Sequence, residues 1–238
     1  MFKSAIEYLV SLKPNQLHQI HGDTYTEKQI IRVAPHVDRP ESISVNGLDS
    51  IVKLVRNELD MLDNLPLFIR VINHRKVDVF STLDEYLGRD RLYTAVCDAP
   101  EWMPGWRDQE KAIIELRSMF LPTDGSEYMM ELLSTISKED GISSEDNGVS
   151  QSVTARTGVA LKQTMAVKPR VKLCPFRTFS EVPQPESEFI LRLDNNARVG
   201  IIEADGEVWK MEAKENISNY LAEKLSEEIA AGQVVIMM

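Results

Sequence analysis

The sequence predicts an α+β fold, and three observations carry it. Apolar residues recur at helical spacing in five separate segments. Two clusters of short segments alternate apolar and polar residues and are punctuated by turn residues. Strand runs and helix runs are segregated along the chain, without strict β-α-β alternation. No glycine-rich dinucleotide fingerprint is present, so the class is non-Rossmann: two antiparallel meanders and a basic β-ribbon packed with about five helices.

The first helix is expected at residues 4–12, where Ile6, Leu9 and Val10 share a stripe and Pro14 is the stop. The second starts from Asn46 as N-cap and carries Leu48, Ile51, Val52, Val55 and Leu59 at helical spacing. Residues 67–72, 77–83 and 91–97 read as a first meander, turned by Asn73-His74-Arg75-Lys76. A third helix follows Asp108, with Ile113, Ile114, Leu116 and Phe120 apolar. A fourth follows Ser126, with Met129, Leu132, Leu133 and Ile136, so the pair reads as a helical hairpin. Residues 188–193, 198–203 and 207–212 form a second meander, separated by Asp194-Asn195-Asn196 and Asp205-Gly206. The fifth helix covers 215–231, buries Ile217, Tyr220, Leu221, Leu225 and Ile229, and ends with Gly232 at C′; residues 233–238 form a closing strand.

The chain is read as one domain, 1–238, with an N-terminal lobe 1–137 and a C-terminal lobe 149–238. A flexible acidic loop, 138–148, joins them, with Glu139, Asp140, Glu145 and Asp146 among glycines and serines. Hydrophobic residues make up 43% and charged residues 27%, which separates the chain from the disordered class. Cys97 and Cys174 are too few for a disulfide framework and read as buried thiols of a reducing compartment. The N-terminus lacks the apolar core of a signal peptide, and no apolar run approaches the roughly 20 residues that span a bilayer. The expected location is cytoplasmic, with no membrane partner.

The familiar phosphate-loop, zinc-protease, nucleophile-elbow and C-x-x-C signatures are all missing, and no cofactor is expected. His18 and His21, at i and i+3, share a helical face but lack the four-ligand set of a closed site, so no metal is expected. Trp102 and Trp106 flank Met103-Pro104-Gly105. Such a pair can offer a stacking platform to a base, but the favoured reading is a pair of anchors that pin an irregular connection to the core.

Residues 149–180 contain no Asp or Glu and carry +6, against −10 for the whole chain, which leaves −16 elsewhere. Arg156, Lys162, Lys168, Arg170 and Lys172 fall on even positions, while Val153, Val159, Leu161, Val167, Val171 and Leu173 fall on odd ones. An extended segment with that phase has one basic and one apolar face. Such a face suits a phosphate backbone or a smaller anion, and it suits equally an acidic surface of the same protein or of a neighbouring subunit. The candidate anion-binding residues are therefore Arg156, Lys162, Lys168, Arg170, Lys172 and Arg177, with nucleic acid or a nucleotide as candidate ligand. The separation of charge also leads to the expectation of a homo-oligomer.

The segments Asp146-Asn147-Gly148-Val149-Ser150-Gln151 and Thr157-Gly158-Val159 resemble the YfdQ-like family of bacteriophage and prophage proteins. So, above all, does Pro175-Phe176-Arg177-Thr178-Phe179-Ser180-Glu181-Val182-Pro183-Gln184-Pro185-Glu186-Ser187-Glu188-Phe189. The resemblance implies a phage or prophage gene product in the bacterial cytoplasm and assigns no catalytic residue. Three functional classes stand in order: a binding protein for an anionic ligand, a self-assembling protein forming a ring or shell, and an enzyme without a familiar motif.

Overall fold

The computed structural model describes residues 17–26, 39–59, 65–84, 87–136, 142–146, 151–157, 161–194 and 198–238. The chain divides into two compact units, residues 1–40 and 41–238. In the first, β1 (Leu17–Ile20) and β2 (Asp23–Thr26) pair antiparallel. His21 and Gly22 between them both have positive φ, as a two-residue type I′ turn requires. Strand periodicity misses this hairpin because all four residues of β1 are exposed. His18 therefore stands on a strand and His21 in a turn, not on one helical face. The helix expected at residues 4–12 lies outside the described residues.

In chain order the second unit begins with β3 (Ile43–Val45), α1 (Leu48–Glu58), β4 (Leu67–Asn73), β5 (Lys76–Phe80), β6 (Arg91–Val96) and β7 (Gly105–Arg107). There follow α2 (Gln109–Ser118), β8 (Phe120–Leu121), α3 (Asp124–Ile136), β9 (Ile142–Asp146), β10 (Gln151–Thr157), β11 (Leu161–Val167) and β12 (Arg170–Pro175). It ends with β13 (Ser187–Leu193), β14 (Val199–Glu203), α4 (Trp209–Lys224), α5 (Ser226–Ala230) and β15 (Val234–Met237). The class is α+β as expected. No described helix is long and apolar enough to cross a membrane.

Two five-stranded sheets organise this unit, each with its own core. The first has the order β15-β4-β5-β6-β3, in which the expected antiparallel meander β4-β5-β6 is flanked by two parallel outer strands. Leu48, Ile51 and Val55 of α1 and Ile217 and Leu221 of α4 share its core with Ile69, Val71, Val77 and Val79. The second has the order β7-β14-β13-β12-β8. There Leu116 of α2 and Met129, Leu132 and Leu133 of α3 pack with Leu173, Phe189, Leu191, Ile201 and Trp102. Phe179 and Val182, between β12 and β13, join the first core, and so do α4 and β15. The two cores are thus built from interleaved segments and not from consecutive halves of the chain.

Four local expectations change. Residues 207–212 are a turn and the start of a helix and not a strand: from Trp209 on, Trp209, Ala213, Ile217 and Leu221 recur every four residues as the buried stripe of α4. Asn46 does not cap α1. Gly47 occupies the N-cap, Asn46 donates to Asp98, and the Leu48 N–H is taken instead by Glu181 Oε1 at 2.7 Å. The acidic segment contains a strand, β9, paired with β10, so it is not simply a loop. The basic ribbon is two pieces: β10 and β11 belong to a three-stranded sheet, whereas β12 belongs to the second five-stranded sheet. Pro169 separates them, as its missing N–H cannot continue a ladder.

Trp102 is buried, donates its indole N–H to Glu115 at 2.9 Å and meets Phe120 and Phe189 edge-on, which makes it an anchor of the second core. Trp106, on β7, is 46% exposed. Cys97 and Cys174 are both buried free thiols.

Candidate functional site

The structure disperses the six basic residues. Arg156 and Lys162 stand opposite each other in the β10–β11 register. Along β12, Arg170 and Lys172 are exposed while Val171 and Leu173 are buried, the alternation a half-buried strand imposes. Arg170 pairs with Glu188 at 2.7 Å, and Lys172 approaches Glu186 at 3.9 Å. The Lys168 ammonium lies 4.4 Å from the centre of the Tyr128 ring, and its backbone N–H donates to the Tyr128 hydroxyl. The outer face of β12 therefore has its counter-charges on the neighbouring β13 side.

Arg177 goes elsewhere. It is 4% exposed, and the loop that carries it, between β12 and β13, is held by the Gln184 side chain. Gln184 Oε1 accepts the backbone N–H of Arg177 at 2.9 Å and of Thr178 at 3.1 Å, while Nε2 donates to the Phe179 carbonyl at 2.9 Å. One amide thus replaces the main-chain partners that a strand would supply. Thr178 Oγ1 in turn donates to the His74 carbonyl at 2.6 Å, tying this loop to the β4–β5 turn.

The guanidinium so placed donates from Nη1 to Ser187 Oγ at 2.9 Å. It lies over the Trp209 ring, 4.2 Å from its centre, and 5.2 Å from the centre of Phe189. Its Nη2 is 3.2 Å from Glu203 Oε1 but lacks the alignment of a hydrogen bond. The buried Trp209 Nε1 also has no hydrogen-bond partner. His74 meets Trp209 edge-on, with ring centres 4.7 Å apart.

These groups line a cavity of about 190 Å³, completed by Glu101, Trp102, Met103, Pro104, Glu207 and Lys210. Lys210 is paired with Glu207 at 2.7 Å. Burial, with Lys210, Arg75 and Arg177 nearby, holds the His74 pKa below its ordinary value, against an opposing pull from Glu101. His74 is therefore neutral at neutral pH. Burial also lowers the Arg177 pKa, yet a guanidinium stays charged in any protein setting. Compared with family models, curated proteins and solved structures, the chain matches none. What the cavity can bind follows from its own side chains.

Two solvent-shielded donors without hydrogen-bond partners, one of them a guanidinium N–H that faces Glu203, are unusual, because buried polar groups are nearly always satisfied. They ask for an acceptor, and the Glu101–Pro104 segment, like His74, Arg177 and Glu207, lines the cavity from outside the strands and helices. No group of three or more His, Cys, Asp or Glu is placed to hold a metal among the described residues. Of the six basic residues expected to bind an anion, the structure brings only Arg177 into this cavity. Periodicity misses His74, Trp209 and Lys210: the first sits in a turn, and the other two fall in the segment read as a strand. The lone signal was Trp209, a large aromatic next to a turn.

Proposed function

We propose that this chain is a binding protein for a small ligand with an anionic oxygen group, seated in the cavity of Arg177 and Trp209. One observation carries the reading: Arg177 Nη2 and Trp209 Nε1 are buried donors without hydrogen-bond partners, on two residues that line one cavity. A carboxylate or a related anion would accept from both, and charge-assisted bonds of this kind are the strong ones. The outer face of β12 is the weaker alternative for nucleic acid, since Arg170 and Lys172 already face Glu188 and Glu186. The resemblance to YfdQ-like proteins adds a phage or prophage origin to the proposal and no chemistry.

The test is calorimetric titration of the full chain with acetate, inorganic phosphate, nucleotides and single-stranded DNA, at matched ionic strength. Trp209→Phe keeps an aromatic ring beside Arg177 but removes the indole N–H together with its five-membered ring, so the unfolding midpoint of the variant is measured alongside its affinity. Loss of one hydrogen bond to a charged group, about 1.5–3 kcal/mol, should weaken a small carboxylate roughly 10- to 100-fold. Equal affinity in the variant, or binding confined to DNA and abolished by Lys168→Ala with Lys172→Ala, refutes the cavity reading.

A further inference from the structure

The cavity that reading rests on is not uniformly basic, and its other charges narrow the ligand. Arg177 and Lys210 supply two cations, while Glu101, Glu203 and Glu207 supply three carboxylates, and His74 is neutral. Arg177 faces Glu203, and Lys210 faces Glu207. Glu101 is exposed and has no salt-bridge partner among the described residues. A dianion such as a phosphate monoester would thus enter a site that already carries an excess negative charge, and like charges at this range repel. A ligand that brings one negative and one positive group meets no such penalty. The size agrees: about 190 Å³ is below the roughly 300 Å³ at which drug-sized sites begin. Trp102, Met103 and Pro104 add an apolar wall for a short side chain.

We infer that the cavity takes a small zwitterion of the α-amino-acid class. Its carboxylate accepts from Arg177 and Trp209, and its ammonium lies toward Glu101. This rests on the anion-binding reading above and adds the cationic half of the ligand.

Thermal unfolding of the full chain, with each standard amino acid, acetate, methylammonium and inorganic phosphate as separate additives, tests it. A ligand that binds only the folded state raises the midpoint in proportion to ln(1 + [L]/Kd). At least one amino acid should raise the midpoint more than acetate and methylammonium supplied together at the same concentration. Glu101→Gln changes an exposed side chain, so the fold is retained. It should weaken that amino acid about tenfold, the loss expected of one charged partner, while acetate binds at least as tightly because one like charge has gone. If acetate or phosphate matches every amino acid, or Glu101→Gln leaves amino-acid affinity intact, the zwitterion assignment is wrong while the anion site stands. If no additive shifts the midpoint, both fall.

Discussion

Replacement of Gln184 by alanine should unfold the loop that places Arg177. In the folded chain Gln184 Oε1 is the acceptor for the N–H groups of Arg177 and Thr178, whose residues are 4% and 1% exposed. Both N–H groups are part-buried and lose this acceptor once the amide is gone. A buried donor left unmade costs about 1–3 kcal/mol, so the pair costs roughly 2–6 kcal/mol, before the lost bond from Nε2 to the Phe179 carbonyl is counted. With a urea m-value of about 3 kcal/mol/M, the unfolding midpoint should fall by roughly 0.7–2 M. Gln184→Glu keeps the acceptor oxygen but sets a second one against the Phe179 carbonyl, so it should cost less than the alanine change and more than nothing. Urea titration followed by tryptophan fluorescence reads both variants. A Gln184→Ala midpoint within about 0.2 M of the unchanged chain would show that the loop does not depend on this side chain, and the account of how Arg177 is positioned would fail.

Two further outcomes follow from local geometry. A Cβ at Gly125 would lie 3.0 Å from the Lys172 carbonyl carbon and closer still to its oxygen, and both are main chain. Gly125→Ala should therefore cost about 3 kcal/mol, the upper end for overpacking, and lower the melting midpoint by roughly 6–12 °C; a shift under about 2 °C refutes the close approach of α3 to β12. His74 binds its proton less readily in the folded chain than in the unfolded one, because burial lowers its pKa. Its contribution to stability is thus whole above pH of about 6.5 and is lost as pH falls from there through the folded pKa. His74→Asn should flatten stability against pH over that window, and an unchanged slope would contradict the burial argument.

Helix α1 shows how far the sequence reads and where it stops. Leu48, Ile51, Val52 and Val55 announce it by spacing alone, and the structure buries all four. Its cap does not lie in the local sequence: Glu181, 133 residues from Leu48, supplies the acceptor. The meander β4-β5-β6 was equally legible, because its alternation and its Asn73 turn are local signals; Asn73 Oδ1 accepts the Arg75 N–H at 2.8 Å. The α4 stripe was partly hidden, because Asp205-Gly206 reads as a hairpin turn until the apolar period beyond it is seen to be four.

The candidate site belongs to the second kind of information. Acid-free composition pointed to residues 149–180 as a unit, and the β12 alternation of Arg170 and Lys172 with Val171 and Leu173 followed from strand geometry. Composition cannot tell a cation that faces a neighbouring carboxylate from one that is buried beneath an indole ring. That distinction depends on which strands become neighbours. Pairing of β12 with β13 set Glu188 opposite Lys172, with Arg170 also in reach. The loop between those strands then carried Arg177 to Trp209, on a helix more than 30 residues further along. Local propensity and periodicity, being properties of near neighbours in the chain, determined the helices and most of the strands of this protein. The cavity was decided only by tertiary structure, because hydrogen bonds and ion pairs act over a few ångströms of space whatever the distance along the chain.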